Sequence, residues 1–93
     1  MDFQGKRVVI LGVGKTGLAV ARFLGHKGAH VVLTDEKPLS AWSDDFLSIA
    51  DAPWLEAAEF KKEILEGAQL VVPSPGFPPY NALLVEAQRR NIP

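Results

Sequence analysis

The sequence predicts an α/β fold, an open parallel sheet of about four to five strands with helices on both faces. Two β-branched runs, Arg7–Leu11 and His30–Thr34, are typical of strands that are buried on both faces. Between them, over residues 15–27, the apolar residues recur with helical spacing. Strand, helix and strand within about thirty residues form a βαβ unit, for which parallel pairing with a right-handed crossover is the rule.

The helix between these strands carries its own start and end signals. Leu18, Ala21 and Leu24 lie three residues apart and form an apolar stripe. Gly28 stands where many helices end in a left-handed residue. Gly25 lies inside the helix and costs it about 1 kcal/mol relative to alanine, so we expect a packing contact that holds this turn.

Beyond the second strand the pattern is less regular. Residues 43–45 supply a capping side chain and an acidic first turn, so they predict a helix that Pro53 stops. Residues 54–60 fit either a short strand or a helical stretch, and the order of their neighbours favours a third strand. A short helix over 61–66 and a fourth strand over 69–72 are predicted to follow.

The last predicted element is a helix that Asn81 caps. Its inner face carries Leu83, Leu84 and Ala87. Since strands and helices alternate along the chain, another strand is expected after this helix. We therefore expect residues 1–93 to form a single domain of a longer protein.

Composition and charge exclude several classes of function. The 93 residues carry ten Lys and Arg against eleven Asp and Glu, a balance that argues against nucleic-acid binding. Without cysteine there is no disulfide, no thiolate metal site and no cysteine nucleophile. No apolar run approaches the roughly 18 residues of a membrane span. We expect a cytoplasmic protein that binds neither nucleic acid nor membrane.

A glycine-rich loop, residues 12–17 (GVGKTG), follows the first strand directly and opens the first helix. It is the G-x-G-x-x-G pattern of Rossmann-like folds, whose glycines permit a tight turn, a close ligand and close packing of helix on strand. Its amides and the positive helix end suit a phosphate or diphosphate. A triphosphate-binding Walker A loop would need glycine at position 9, where the chain has Val9. The candidate ligand residues are Gly14, Lys15, Thr16 and Gly17.

Two further loops are predicted at the same edge of the sheet. Asp35 ends the second strand, 18 positions after Gly17, where dinucleotide folds place the carboxylate that binds the ribose of NAD. A turn or helix-cap role is the alternative for Asp35, and a solvated loop lysine is the alternative for Lys37. Residues 74–76 (SPG) follow the fourth strand and form either a ligand contact or a purely structural turn.

Other residues that often carry chemistry form no constellation here. His26 and His30 lack partners at metal-ligand spacing, so no metal site is expected. Trp42 and Trp54 are most simply residues of the core or its cover. No Ser/His/Asp arrangement and no paired carboxylates converge, and we expect no catalytic residue in these 93 positions.

Two stretches that cover most of the chain resemble a known family. Residues 8–38 (VVILGVGKTGLAVARFLGHKGAHVVLTDEKP) and 71–93 (VVPSPGFPPYNALLVEAQRRNIP) look like the N-terminal domain of the Mur ligases, in particular of those that join D-glutamate to UDP-N-acetylmuramoyl-L-alanine. The glycine loop alone fits many nucleotide-binding proteins. Its combination with T-D-x-K after the second strand and S-P-G-x-P after the fourth is more specific.

The resemblance implies the N-terminal, UDP-binding domain of a three-domain bacterial enzyme of peptidoglycan synthesis. Such a ligase binds ATP and magnesium in its central domain and D-glutamate in its last, both absent from these residues. It activates the substrate carboxylate as an acyl phosphate, forms the amide and releases ADP and phosphate. We therefore expect no cofactor and no catalytic group in this part of the enzyme.

The resemblance also implies a role for each candidate residue. The loop Gly14, Lys15, Thr16 and Gly17 would meet the diphosphate. The uracil would be surrounded by Asp35, Glu36 and Lys37, and approached from the other side by Ser74 and Gly76. Pro73 departs from the small or aliphatic residue that is commoner in the family at this position. The alternative function is an NAD(P)-binding regulatory or dehydrogenase module, which the glycine loop and Asp35 also fit.

Overall fold

A four-stranded parallel sheet organises the part of the chain that the structure, a computed structural model, describes: residues 2–75, 78 and 81–93. The strand order is β3-β2-β1-β4. Val9 of β1 lies opposite Val32 of β2 and Val71 of β4. The bounds are β1 Arg7–Leu11, β2 His30–Thr34, β3 Leu55–Ala57 and β4 Leu70–Pro73. The predicted α/β fold with a parallel sheet is confirmed.

One helix covers each face of the sheet. Helix α1, Lys15–His26, packs Leu18 and its neighbours against the face that carries Val8 and Ile10. Helix α2, Ala82–Arg89, packs Leu83 and Ala87 against the opposite face, which a short turn over 62–65 also covers. Strands β1 and β2 are thereby buried on both sides, as their unbroken apolar runs predict.

The glycines and the cap of the helices behave as the sequence predicts. Gly28 ends α1 with φ +88°, a left-handed conformation. A Cβ at Gly25 would overlap the indole ring of Trp54, so this glycine is the packing contact that α1 needs. The Asn81 side chain caps α2, because its Oδ1 accepts a hydrogen bond of 2.9 Å from the amide of Leu83.

The helix predicted to run from 43–45 to Pro53 is wrong as an α-helix. The structure has a 3₁₀ helix at Asp44–Ser48 and another at Leu39–Ala41. The backbone here takes tight i→i+3 bonds, and the Ser48 hydroxyl donates to the Asp45 carbonyl at 2.8 Å. A serine that bonds its own backbone in this way competes with the α-helical ladder.

The remaining elements differ from prediction only in length and position. Segment 54–60 contains β3, which confirms the strand favoured there, although only three residues long. The short helix expected over 61–66 is a 3₁₀ turn, Lys62–Leu65. Strand β4 begins and ends one residue later than predicted, at Leu70–Pro73.

Candidate functional site

The carboxyl ends of β1, β2 and β4 bring three loops to one edge of the sheet. The Gly12 amide donates to the Thr34 carbonyl at 2.8 Å, which joins the glycine loop to the end of β2. The Ser74 amide donates to the Leu11 carbonyl at 2.9 Å, which joins the exit of β4 to the end of β1. The candidate loops therefore start side by side, at the edge where open α/β sheets bind ligands.

Two glycines of the loop are required by the fold itself. Gly12 has φ +116°, which residues with a side chain rarely adopt. Gly17 is buried at the start of α1, and a Cβ there would overlap the carbonyl oxygen of Gly12. These two positions close the turn and pack the helix on the strand, whether or not a ligand binds.

The middle glycine, Gly14, differs from the other two. Its backbone has φ −71° and ψ −176°, which any residue adopts, and no described atom lies within 4 Å of a Cβ built there. Gly14, Lys15 and Thr16 are all exposed, and no side chain of the described residues caps the start of α1. The first-turn amides and the positive end of the helix therefore face open space that a phosphate group can enter.

Asp35 connects the glycine loop to the loop after β2. Its Oδ2 accepts a hydrogen bond of 3.0 Å from the Val13 amide, and its Oδ1 accepts one of 3.2 Å from the Lys37 amide. The half-buried carboxylate thus stabilises a turn in its own loop through Lys37, and it binds the glycine loop through Val13. Each oxygen keeps a second lone pair, so a ligand hydroxyl or amide can still approach it.

Thr34 is a structural residue of this edge that the sequence analysis did not single out. It is fully buried, and its hydroxyl donates to the Ala58 carbonyl at 2.8 Å. With its own carbonyl bound to the Gly12 amide, Thr34 ties the ends of β1, β2 and β3 together. The sequence does carry a signal for this role, because Thr34 directly follows the three apolar residues 31–33 of a buried strand.

A cleft of about 490 Å³ opens between the loop after β2 and the loop after β3. The first loop contributes residues 35–37, of which Glu36 and Lys37 are exposed, and Trp42 and Phe60 supply aromatic lining. Apolar rings beside backbone and charged groups suit a flat heterocycle with polar edges.

The candidate residues divide between the two parts of this edge. The 35–37 loop borders the cleft, whereas residues 14–17 lie at the start of α1 and Ser74 lies beside the end of β1. Gly76 falls outside the described residues.

The histidines do not belong to this site. His30 lies at the amino end of β2, where its Nε2 is 3.3 Å from Glu56 Oε1, and Arg7 Nη1 lies 3.6 Å from the same oxygen.

Within residues 2–75, 78 and 81–93, no group of three or more His, Asp or Glu side chains could hold a metal ion. No helix among them is long and apolar enough to cross a membrane.

Comparison with known proteins identifies the family. Residues 6–93 match the family described as the Mur ligase MurD-like, N-terminal domain. The chain belongs to this family. The match covers all three loops of the edge, including the glycine loop and residues 74–76, and the resemblance found in the sequence is confirmed.

Bacterial relatives of this MurD-like domain are similar along the whole chain. A protein of Syntrophus aciditrophicus is 43% identical over 95 aligned residues, which cover 100% of this chain and 21% of that protein. A protein of Geotalea daltonii is 39% identical over 95 aligned residues, which cover 99% of this chain and 21% of that protein. Both are named UDP-N-acetylmuramoylalanine--D-glutamate ligase. The chain spans about a fifth of the length of these relatives.

Solved structures of similar fold include two dehydrogenases. SirC, a precorrin-2 dehydrogenase, superimposes with a TM-score of 0.66 at 15% identity, over 83% of this chain and 38% of SirC. A D-isomer specific 2-hydroxyacid dehydrogenase from Lactobacillus delbrueckii, in its NAD-complexed form, superimposes with a TM-score of 0.59 at 29% identity, over 84% of this chain and 22% of its own. The MurD-like domain is therefore Rossmann-like, as predicted.

Proposed function

We propose that this domain binds the UDP end of UDP-N-acetylmuramoyl-L-alanine for a ligase that adds D-glutamate in bacterial peptidoglycan synthesis. The observation that supports it most is the placement of an open glycine loop and a cleft-lining loop on one sheet edge, in a chain of the MurD-like family. The role of the domain is binding and orientation of substrate. The complete enzyme then acts in the cytoplasm and serves cell-wall biogenesis, cell shape and division.

The diphosphate is proposed to lie at the start of α1. Gly14 leaves room for an anion in front of the first-turn amides, since no described atom lies within 4 Å of its built Cβ. Lys15 adds a full positive charge and the Thr16 hydroxyl adds a donor, and both side chains are exposed. A helix dipole, backbone amides and a lysine together favour a group that carries two negative charges.

The uracil is proposed to lie against the loop of Asp35, Glu36 and Lys37. This loop borders the cleft and is joined to the glycine loop by the hydrogen bond from Val13 to Asp35. A base in contact with the first loop can therefore belong to the same ligand as a diphosphate in contact with the second. Ser74 and Gly76 are proposed to approach the nucleoside from the β4 side.

ATP, magnesium and D-glutamate are proposed to bind outside these residues. The position at which a Walker A loop needs glycine is occupied by Val9, which is fully buried in the middle of β1. ATP would activate the substrate carboxylate when bound elsewhere in the enzyme. For this chain alone we expect neither ligase nor ATPase activity, and rapid ATP hydrolysis by the pure chain would contradict the proposal.

An NAD(P)-binding module is the alternative. The glycine loop, Asp35 and the NAD-complexed dehydrogenase of similar fold favour it. The family match supports the UDP ligand instead. The two candidates differ in the nucleoside that the site accepts, so direct binding distinguishes them.

Calorimetric titration of the chain with UDP-N-acetylmuramoyl-L-alanine, UDP and NADH tests the proposal. We expect the two uridine compounds to bind and NADH not to bind. Lys15→Ala should weaken UDP binding by about 5- to 20-fold, because one charge-assisted contact to phosphate is lost. Lys27→Ala, a lysine just past the other end of α1, is the matched control and should leave UDP affinity unchanged. NADH binding more tightly than UDP would overturn the proposal.

A further inference from the structure

A chain of hydrogen bonds runs from the glycine loop to a buried tryptophan. The Val13 amide donates to Asp35 Oδ2 at 3.0 Å, and the Lys37 amide donates to Asp35 Oδ1 at 3.2 Å. At the far end of the same loop, Trp42 Nε1 donates to the Lys37 carbonyl at 3.1 Å. Lys37 is thus held through both its amide and its carbonyl, while its side chain stays exposed beside the cleft.

Trp42 is itself firmly placed. It is 9% exposed and belongs to the core cluster beneath α1. Its ring meets the ring of Phe46 edge to face, with centroids 4.8 Å apart and planes at 87°. The tight turn Leu39–Ala41 connects it to the loop, and the Trp42 amide donates to the Leu39 carbonyl at 3.1 Å. Because the Trp42 ring is held in place by these contacts, its N–H group can hold the Lys37 carbonyl in a fixed position.

We propose that Trp42 is a positioning residue for nucleoside recognition, acting through the Lys37 carbonyl on loop 35–37. This inference rests on the proposed function for the identity of the ligand. The indole N–H orients the Lys37 peptide, and with it the backbone groups of 35–37 that face the nucleoside. The bond from Trp42 is made to loop 35–37 itself, whereas the glycine loop joins this loop only through the hydrogen bond from Val13 to Asp35. We therefore expect Trp42 to act mainly on the base half of the ligand.

The substitution Trp42→Phe tests this role because it keeps an aromatic ring and removes the N–H donor. UDP affinity should fall by about 3- to 10-fold, the ratio that corresponds to the net contribution of one hydrogen bond. Pyrophosphate affinity should stay within about 2-fold of the unsubstituted chain, since pyrophosphate has no base and its proposed site is the glycine loop. Trp54→Phe is the matched control: Trp54 precedes β3 at the opposite end of the sheet and packs on Gly25. It should leave both affinities unchanged.

Nuclear magnetic resonance without ligand provides the second readout. In Trp42→Phe the Lys37 amide proton should exchange with solvent several-fold faster, whereas amides of β1 and β2 should keep their rates. In the Trp54→Phe chain, the remaining indole N–H signal belongs to Trp42 and should shift when UDP is added but not when pyrophosphate is added.

Each outcome decides a separate point. Unchanged UDP affinity in Trp42→Phe, or an equal loss for UDP and pyrophosphate, would overturn the positioning role. Failure of the unsubstituted chain to bind UDP would refute the proposed function instead. The exchange rate of the Lys37 amide then still decides whether Trp42 holds the loop, because that measurement needs no ligand.

Discussion

Two glycines of the glycine loop, Gly17 and Gly14, serve different purposes although they lie close together in the sequence. Gly17 is buried and has no room for a side chain, because a Cβ would overlap the Gly12 carbonyl. Gly14 has an ordinary backbone conformation and open space before it. The fold therefore explains why position 17 is a glycine, and a bound ligand is the simplest explanation of the glycine at position 14. The motif pattern predicts both glycines, but only the structure separates their roles.

Alanine at Gly17 should affect mainly the stability of the chain, and alanine at Gly14 mainly its ligand binding. Gly17→Ala should lower the free energy of unfolding by at least about 2 kcal/mol, because backbone must move to admit the methyl group. Gly14→Ala should change it by less than about 1 kcal/mol, the range of a helix-cap substitution, yet weaken pyrophosphate binding. Urea unfolding followed by circular dichroism, together with a pyrophosphate titration, measures both. Equal stability losses in the two variants would contradict this assignment.

Gly25 gives a second test at the scale of one residue. Alanine should favour the helix by about 1 kcal/mol, but in this chain its methyl group would collide with the Trp54 ring. Gly25→Ala should therefore destabilise the unsubstituted chain and stabilise a Trp54→Leu chain. The double-mutant cycle by urea unfolding measures this coupling. The same sign of effect in both backgrounds would show that Trp54 is not the cause.

At the scale of elements, the sequence predicts those with strong local signals. The apolar runs of β1 and β2 and the Asn81 cap are confirmed, since burial on both faces and a side-chain cap are local properties. The helix predicted to begin at 43–45 is wrong, because Ser48 bonds back to the Asp45 carbonyl and the backbone follows 3₁₀ turns. In a short segment whose side chains bond to its own backbone, the sequence pattern alone does not determine whether the backbone forms an α-helix or 3₁₀ turns.

The cap of α2 should contribute measurably to stability. Asn81→Ala removes the acceptor of the Leu83 amide and should lower the free energy of unfolding by about 1 kcal/mol. Gln88→Ala, at an exposed position of the same helix, is the control and should stay within about 0.5 kcal/mol. Chemical unfolding of the two variants side by side makes the comparison. A cost for Gln88→Ala as large as for Asn81→Ala would argue against the cap.

Near the other end of α2, two arginines hold one carboxylate. Arg89 donates to both oxygens of Glu86, and Arg90 Nε donates to Oε2 at 2.7 Å. The two hydrogen bonds from Arg89, and then the one from Arg90, lower the pKa of Glu86 from 4.5 to about 2. The ionised form is favoured in the folded state, so this stabilisation is complete above pH 4.5 and is lost as the pH falls through about 2.

A carboxyl carbon titration by nuclear magnetic resonance measures the pKa of Glu86 directly. We expect a midpoint near 2, and in Arg89→Gln a midpoint closer to the ordinary 4.5, because the first of the two partners is lost. A midpoint in the unsubstituted chain that Arg89→Gln leaves unmoved would show that Arg89 does not hold this carboxylate in solution.

At the scale of the whole molecule, the parallel arrangement of the strands determines where the candidate site lies. Because β1, β2 and β4 point the same way, residues far apart in sequence meet at one edge. The sequence predicts this convergence from its βαβ pattern. It does not predict the bonds of Asp35 to Val13 or of Trp42 to Lys37, because hydrogen bonds between loops depend on where each loop folds. The candidate residues follow from motifs, and the network that positions them follows only from the structure.

The central claim is that one ligand spans the glycine loop and loop 35–37, with uracil as its base. Titration of the ¹⁵N-labelled chain with UDP-N-acetylmuramoyl-L-alanine, with NADH in parallel, tests it most directly. The claim predicts amide shifts that saturate together at residues 14–17, at residues 35–37 and at Ser74 and Gly76 with the uridine compound alone. The same glycine-loop shifts with NADH, and none with the uridine compound, would contradict it.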